Sequence, residues 1–576
     1  MYLRKINRKT SSGTKLVYWS LVESYKTERG PRQRVVAHLG DVDEEIRLGV
    51  KSVVEGSHTL QQSLFEDTTP SWVEVDVNGV RLERRREFGD VWLALEVMKK
   101  LGLPEFFRSV MPSPRAKIPW GDMASLLVIA RFCGARSELS IAEDFYSSSA
   151  LPDLLGISDT DIYDNRLYRA LDELLPQKDA LQKMLKERLG ELFDIHFDIL
   201  LYDVTSTYFE GEAKRNPDAK RGYSRDGRSD CKQVTIGLVV TTEGIPLGYE
   251  VFEGNRHDSK TVETIIEKME SLYGKSDRVW VMDRGMVSKK NHALLQASGR
   301  RYIVGTPKNQ LRSFEQHLLD KEWEQVHEGL EVKRCASPDG TDEVFILCRS
   351  MARAEKEHAM HERFRIRIEE GLQRIRQSCE KGRAKDIKKI ERRIGKLLGN
   401  NSRASAMFDV TVSEKDARVV VTWKMKKPAT EWAALSEGCY LLRSNIKDWT
   451  GEQLWKAYIQ LTDAEAAFRI QKDDLQLRPI WHQKKRRVEA HILICFLSFV
   501  VWKCFAQMCK HAGLGTEPRK VIQEIKKLTL MDVVLPTKSG IDIRLQCISK
   551  PEALLNILLH KLKLHPPERL QKNVKL

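Results

Sequence analysis

Residues 196–210, HFDILLYDVTSTYFE, decide the fold, because they form an apolar run rich in residues that favour β-strands. Similar runs follow, two in KQVTIGLVVTTEGIPLGYEVFEG (232–254) and one in SDRVWVMDRGMVS (276–288). A 3.6-residue period predicts a helix over 259–274, and another helix precedes the strand RYIVGTPK (301–308). Three adjacent strands followed by helix, strand, helix and strand predict a mixed α/β sheet covered by helices.

The rest of the chain divides into segments of different character. The predicted organisation is a small β-rich module with a hairpin at 15–41 (1–60), a mostly helical region (85–195), the α/β domain (196–310 and 438–510), an insertion (311–437) and a C-terminal region with a possible dimer surface (511–576). Ser140 and Glu143 have capping-box spacing after a glycine break, which resembles a helix-turn-helix, and an ordinary helical bundle is the alternative. The charged segment 351–400 is interpreted as a helical hairpin with a solvated face, and contact with a phosphate backbone is its functional alternative.

The composition predicts a soluble protein that binds nucleic acid. The formal net charge is +15, from 96 basic and 81 acidic residues, and a basic surface of this kind attracts phosphates. The ten cysteines include no CxxC pair, so neither a zinc site nor a disulfide framework is indicated. The start of the chain lacks a secretory core, and the apolar run 492–502 is about half the roughly 20 residues that cross a bilayer, so we expect a buried helix and a cytoplasmic protein.

Two aspartates stand at the ends of apolar strands. Asp203 lies in LLYDVTSTYF and Asp283 in VWVMDRGMVS. A carboxylate entering such an apolar setting without a partner costs several kcal/mol. Arg284 adjoins only Asp283, so a shared divalent cation is the economical partner, and ligation by oxygen alone suits Mg²⁺ or Mn²⁺.

Two-ion phosphoryl chemistry needs a third acid, and the candidate lies in YIQLTDAEAAFRIQKDDLQLRP (458–479). On a continuous helix one stripe would hold Tyr458, Leu461, Glu465, Arg469 and Lys472. A carboxylate aimed at metal ions would then have basic neighbours for DNA phosphates. An ordinary solvated helix with stabilising charge pairs remains the alternative, since these spacings are common.

These motifs together resemble a known family. Asp-Val-Thr-Ser-Thr (203–207), Met-Asp-Arg-Gly (282–285) and Tyr458-x2-Leu461-x3-Glu465-x6-Lys472 resemble bacterial insertion-sequence transposases of the DDE class, in the branch with the Tyr-x2-Arg-x3-Glu-x6-Lys (YREK) signature. The similarity covers about 196–510, and VVAHLG (35–40) and EGNRHDSKT (253–261) also resemble one subgroup. The resemblance implies a ribonuclease H-like catalytic core with a β-rich and helical insertion. The spacing agrees, with 80 positions from Asp203 to Asp283 and 182 from there to Glu465.

The resemblance also implies roles for individual residues. Asp203, Asp283 and Glu465 would be the catalytic metal ligands, for two Mg²⁺ (or Mn²⁺) ions. Tyr458, Lys472 and Arg284 would contact DNA. Leu461 stands where the branch has an arginine, whose grip on a phosphate either passes to Arg469, Arg443 or Arg478 or is weaker in this chain.

Two further residue assignments have ordinary structural alternatives. Tyr440 heads a strand where related enzymes stack an aromatic ring on an extruded base, although a strand aromatic is more often part of a core. His257 and Asp258 are candidates for an acid/base pair or a metal ligand, but a loop hydrogen bond that caps the helix at 260 is the favoured interpretation.

The function implied is cut-and-paste DNA transposition. The partners would be double-stranded DNA, as transposon ends and target, and a second copy of the chain when both ends are assembled; no membrane and no small-molecule substrate are expected. Two alternatives remain open. One is a metal-dependent nuclease on the same fold that cuts without joining, and the other is a non-catalytic DNA-binding descendant, which predicts a damaged carboxylate set.

Overall fold

The computed structural model describes most of the chain. It covers residues 2–9, 15–27, 30–40, 73–111, 116–134, 136–275, 277–286, 288–297, 299–415, 418–567, 570 and 574–575. Contacts between Cα atoms divide the chain into two compact units. The first consists of Met1–Leu181, Gln471–Leu477 and Arg486–Leu576, and the second of Gln182–Ile470 and Arg478–Lys485. The domain boundaries proposed above stay a prediction.

The described strands are β1 Tyr2–Lys9, β2 Lys15–Thr27, β3 Gly30–Gly40, β4 Arg81–Glu87, β5 Ile199–Tyr208, β6 Gln233–Val240, β7 Pro246–Glu253, β8 Val279–Met282, β9 Arg301–Gly305, β10 Glu324–His327, β11 Leu330–Ala336, β12 Val344–Ser350, β13 Phe408–Lys415, β14 Arg418–Met425, β15 Cys439–Ser444, β16 Thr529–Pro536, β17 Asp542–Ile548 and β18 Val574–Lys575.

The described α-helices are α1 Gly89–Lys100, α2 Leu103–Val110, α3 Trp120–Cys133, α4 Glu138–Ser140, α5 Tyr146–Ser148, α6 Leu151–Leu155, α7 Asp164–Leu174, α8 Lys178–Phe193, α9 Val262–Tyr273, α10 Lys289–Ala297, α11 Glu315–Leu319, α12 Met351–Glu380, α13 Ile387–Asn400, α14 Ser402–Ser405, α15 Lys427–Ser436, α16 Gly451–Ile459, α17 Leu461–Arg469, α18 Lys485–His511, α19 Pro518–Ile525 and α20 Ala553–Leu562.

The N-terminal strands form a small antiparallel sheet in the order β1-β2-β3. The predicted hairpin is confirmed between β2 and β3, whose inner ends pair Thr27 with Gly30. The remainder of the predicted module, 41–60, lies outside the described residues.

Helices dominate the first unit, around α3 and α18. α18 is buried on nearly all sides, and Ser498 in it donates a hydrogen bond to the carbonyl of Val128 over 3.1 Å. It is the one described helix long and apolar enough to cross a membrane, but 83% of its most apolar window is buried, as is typical of a core helix. The expectation that 492–502 form a buried helix is confirmed.

The predicted capping box at Ser140 is wrong. Ser137 caps this helical segment instead, because its side chain accepts a hydrogen bond from the Ser140 backbone N–H at 3.2 Å. Residues Ile141–Phe145 then form a π-helical turn, and Ser140 makes no capping bond. The acid at 143 therefore lies inside the helical run rather than opposite its first N–H group.

The second unit is built on a nine-stranded sheet in the order β10-β11-β12-β15-β9-β8-β5-β6-β7. β6 is antiparallel to both β5 and β7, whereas β8 is parallel to β5 and β9 is parallel to β8. If β5, β6, β7, β8 and β9 are numbered one to five, they lie in the sheet in the order three-two-one-four-five. The mixed α/β sheet is confirmed, and its arrangement is that of the ribonuclease H-like core.

Helix α9 covers one face of this core. Leu200, Tyr202 and Val204 of β5 alternate with residues of the other face and pack in one buried cluster with Ile265 and Met269 of α9. Each fully buried side chain of this kind contributes about 1.5–3 kcal/mol. This packing therefore fixes the position of β5 against α9. It also fixes the position of Asp203, which lies between Tyr202 and Val204 and so is on the opposite face of the strand.

The insertion contributes to the sheet and also has a core of its own. β10, β11 and β12 extend the sheet, and β15, which follows the insertion, pairs between β12 and β9. The two long helices α12 and α13 pack with the β13–β14 hairpin in a separate buried cluster that includes Ile368, Leu372, Ile390, Phe408 and Val421. The predicted helical hairpin is confirmed, with the break after Glu380.

Candidate active site

Three acids from distant parts of the chain line one cleft of about 340 Å³. Asp203 lies within β5 and Asp283 follows β8 directly. Since β5 and β8 are parallel and pair Tyr202 with Met282, the two aspartates occupy matching positions on adjacent strands. Glu465 lies on α17, which packs beside β5.

Asp203 is the most enclosed of the three acids. Burial raises the pKa of Asp203 to about 7, and the negative charges of Asp283 and Glu465 add to the rise. The backbone N–H of Val204 and the guanidinium of Arg225 oppose it. The cleft therefore concentrates negative charge that its own cations do not neutralise.

Asp283 is exposed and accepts a hydrogen bond from the Tyr458 hydroxyl at 3.2 Å. Tyr458 sits in the last turn of α16, whose start is fixed by a capping box between Thr450 and Gln453. Burial, and then the charge of Asp283, raise the pKa of Tyr458, so the tyrosine stays a neutral donor. Gly305 makes room for this contact, because a Cβ there would lie 2.5 Å from the Tyr458 oxygen.

Glu465 projects from the exposed side of α17, while Ala464, Ala467 and Phe468 bury the other side. Among the described residues, no group of three or more His, Cys, Asp or Glu side chains is arranged to hold a metal ion. The three acids nevertheless line the same cleft. Their joint ligation of an ion stays a prediction.

The helix that carries Glu465 is not continuous, which corrects the single stripe expected from its sequence. α16 ends at Ile459 with Tyr458, α17 carries Glu465 and Arg469, and Ile470–Asp474 form a π-helical turn. A π turn inserts an extra residue, so positions beyond it shift around the axis. Lys472 falls in the segment Gln471–Leu477 of the other unit.

The predicted DNA-contacting residues of this unit occupy different settings. Arg284 and Arg469 are exposed, and neither forms an ion pair with a described residue. The Tyr440 ring is covered by the guanidinium of Arg353, 4.8 Å from its centroid, and its hydroxyl accepts a hydrogen bond from Trp455 at 2.7 Å. In this structure Tyr440 is thus a packed residue with an arginine on its face.

The three candidates for replacing the missing signature arginine differ in availability. Arg443 is bound to the buried carboxylate of Glu343, and Arg478 is ion-paired with Asp226. Arg469 is exposed, one turn after Glu465. Of the three, Arg469 is therefore best placed to meet a phosphate.

The sequence did not indicate that Arg225 lines the cleft, and it suggested a different role for Asp258, which also lines it. Arg225, in the loop after β5, donates to Asp258 at 2.6 Å, and both residues line the cleft. The Arg225 backbone N–H also donates to Ser206 of β5, which ties the loop to the sheet. His257 caps the following turn by accepting from Ser259 N, as favoured above. No spacing marks Arg225 among the many charges of its loop.

The fold and the site define a class of protein. A ribonuclease H-like core with carboxylates at matching points of its first and fourth strands, and a third on a helix after an insertion, is the arrangement of DDE enzymes that act on DNA. Residues 196–501, more than half of the chain, match the family described as Transposase DDE domain. Residues 3–63 match the IS1634 family transposase, N-terminal domain.

The chain belongs to the DDE transposase family. It is an insertion-sequence transposase, an enzyme that breaks and transesterifies DNA phosphodiesters, and this family generally depends on divalent metal ions. The family assignment predicted from the motifs is confirmed, while the YREK branch stays a prediction.

Two other comparisons add little. No curated protein matches the chain. The cryo-EM structure of a piggyBac transposase synaptic complex with hairpin DNA is similar over 77% of this chain and 82% of that one, at 10% identity. Its TM-score of 0.35 is too low to carry an argument.

Proposed function

We propose that this transposase cleaves DNA at the ends of its element and joins the freed ends to a target in a cut-and-paste reaction. Asp203, Asp283 and Glu465 hold Mg²⁺ or Mn²⁺, as two ions. The observation that supports this most directly is that three acids from distant parts of the chain line one cleft, two of them at matching points of parallel strands and the third on a helix.

The side chains of the cleft fit a divalent cation. Its donors are carboxylate oxygens, the ligands that Mg²⁺ and Mn²⁺ prefer. Its acids are Asp203, Asp258, Asp283 and Glu465, and its one cationic side chain, Arg225, is already bonded to Asp258. Burial is the main cause of the raised pKa of Asp203, and an ion between the other three acids would offset the repulsion that adds to it.

When bound, the ions supply Lewis-acid activation of the attacking oxygen and stabilise the leaving oxygen. The chain's own residues orient this chemistry. Tyr458 holds one Asp283 oxygen by donating to it, which leaves the second oxygen without this bond. Arg284 and Arg469 hold phosphates of the strand being cut. Lys472 is a separate proposed contact to DNA. Tyr440 stacks on an extruded base only after Arg353 leaves its ring.

The macromolecular partners follow from the reaction. The helical region 85–195 binds the terminal inverted repeats, and a homodimer brings both ends together on double-stranded DNA. The protein acts on DNA in the bacterial cytoplasm, associated with the nucleoid. Its net charge of +15 supports association with phosphates.

Strand-transfer assays with pre-cut element ends test this function. We expect joined product with Mg²⁺ or Mn²⁺, none with a chelator, and a loss of at least about a thousandfold in Asp203→Asn, Asp283→Asn and Glu465→Gln. Glu414→Gln, which removes an exposed carboxylate of the insertion, is the matched control and should leave the rate unchanged. Cleavage without joined product would replace the proposal with a nuclease, and full activity of Asp203→Asn would refute the assigned ligands.

A further inference from the structure

A large concave surface in the second unit carries unusual charge. This basic groove, with a volume of about 1640 Å³, is lined by nine lysines and arginines and two carboxylates, a net formal charge of +7. Neither the spacing of the sequence motifs nor the family assignment marks it. Its cations come from five stretches of chain that only folding brings together.

The two walls of the groove belong to the insertion. One wall holds Arg353 and Lys356, in the first two turns of α12, together with Arg403 of α14. The facing wall holds Lys426 and Lys427, where the β13–β14 hairpin passes into α15. Each of these residues except Arg353 is exposed, so their charges face the solvent of the groove.

The base of the groove is fixed by buried polar contacts. Glu357 accepts from Lys308 at 2.6 Å, from Arg353 at 3.2 Å and from the backbone N–H of Gly438 at 3.0 Å. Lys308 belongs to the segment after β9, and Gly438 directly precedes β15. These bonds join the helix α12 to the central sheet, so the groove is held in place relative to the sheet that carries Asp283.

The groove borders the acid cleft. Arg284 lines the groove, and its two neighbours in the chain, Asp283 and Gly285, line the cleft. A cation of the groove therefore lies next to an acid of the cleft, which places the groove beside the bond that the acids would cut.

The charge of the groove is largely uncompensated. Arg284, Lys356 and Lys426 form no ion pair with any described residue. Like charges facing one another across a concavity repel, which costs free energy in the free protein and is relieved by a polyanion. The outer face of α13 differs, because Lys388, Arg392 and Lys396 form an exposed stripe four residues apart and are not among the residues that line the groove.

We propose that the basic groove binds the phosphate backbone of the DNA strand that flanks the bond cut in the acid cleft. The inference rests on the proposed function, since it assumes that cleavage occurs at Asp203, Asp283 and Glu465. It assigns the insertion a role in holding the substrate on one side of that bond. Contacts to phosphates are independent of sequence, so the groove adds affinity and position rather than recognition of the terminal repeat.

A salt titration of DNA binding tests the groove with a matched control. The groove variant is Lys356→Gln/Arg403→Gln/Lys426→Gln, and the control is Lys388→Gln/Arg392→Gln/Lys396→Gln, which removes the same charge from the same insertion. Binding of a labelled linear duplex that ends at the element's terminal repeat is measured with EDTA present. We expect the groove variant to bind about tenfold or more weakly, with a salt slope smaller by roughly 2 to 3, and the control to bind like the wild type.

A photo-crosslinker locates the contact. With p-benzoylphenylalanine in place of Lys426 we expect crosslinks within a few nucleotides of the cleavage site, and with it in place of Lys396 none. Equal salt slopes for the two triple variants, or crosslinks from the groove only to distant DNA, would overturn the inference. Circular dichroism melting confirms that both variants fold. Because binding is measured without cleavage, a wild-type protein that binds through the groove but cannot cut would refute the proposed function alone.

Discussion

The hydroxyl of Tyr458 donates a hydrogen bond to the carboxylate of Asp283 across 3.2 Å, and this contact joins the helix before Glu465 to the strand end that carries the second aspartate. A hydrogen bond to a charged group is worth about 1.5–3 kcal/mol. Under the proposed function, Tyr458 would therefore orient a metal ligand as well as contact the DNA. We propose that it is a positioning residue for the acid cleft.

Tyr458→Phe should lower the rate of strand transfer about tenfold and raise the concentration of Mn²⁺ needed for half-maximal rate. The physical reason is that Asp283 loses the donor that holds one of its oxygens. A titration of the rate with Mn²⁺ measures both effects. If Tyr458 served only to contact DNA, the dependence on Mn²⁺ would stay as in the wild type.

Gly305→Ala should disturb the same contact from the other side. Its new Cβ would lie 2.5 Å from the Tyr458 oxygen, and overpacking of this kind costs about 1–3 kcal/mol. Gly395→Ala is the control, because its Cβ meets open space on α13 and should stabilise the helix by about 0.5–1 kcal/mol. Urea unfolding of the two variants should give free energies that change in opposite directions.

Binding of divalent ions should depend on pH. Asp203 in the metal-free protein has its pKa raised to about 7, above its usual value of 3.8, so its contribution to stability is present at low pH and lost as the pH rises through 7. Ions need the ionised carboxylate, so the rise in melting temperature caused by Mn²⁺ should be larger at pH 8 than at pH 6. Asp203→Asn should remove most of this difference; a rise that does not depend on pH would count against Asp203 as a ligand.

The buried carboxylate of Glu343 should make the sheet sensitive to acid. Burial alone would raise its pKa, but bonds from His292, Arg443 and Tyr302 lower the pKa of Glu343 to about 2. The pKa of Glu343 in the folded protein lies below its usual value of 4.5. Its ionised form therefore adds to the free energy of unfolding, by on the order of 3 kcal/mol. This stabilisation is present above about pH 4.5 and is lost as the pH falls toward 2.

Glu343→Gln tests this account by removing the titrating group. The variant should be less stable by about 3 kcal/mol at pH 7, since Arg443 loses its buried partner. Urea unfolding between pH 5 and pH 3 should show the wild type losing more stability than the variant. Equal losses would assign the acid sensitivity to other carboxylates.

Much of the catalytic core was predictable because it depends on local patterns. Apolar runs marked β5 to β9, and parallel neighbours bring Asp203 and Asp283 to matching points. The break in the helix of Glu465 was not predictable, since a π turn leaves the residue pattern unchanged. The stacking of Arg353 on Tyr440 depends on the return of β15 beside β12, a pairing set by tertiary structure alone.

The groove and the role of Arg225 were hidden for a related reason. The sequence around a lysine in a charged segment does not indicate whether its side chain faces a concavity or open solvent. Lys356 and Lys388 therefore cannot be told apart by their spacing. Only the folded insertion separates them. The pairing of Arg225 with Asp258 likewise joins two loops 33 residues apart that no motif connects.

Anomalous diffraction from crystals of the transposase bound to element-end DNA and Mn²⁺ tests the central claim most directly. The account predicts manganese bound by Asp203, Asp283 and Glu465 beside the phosphate to be cut. Manganese held by other residues, or DNA seated in the cleft with Glu465 turned away from any ion, would contradict it.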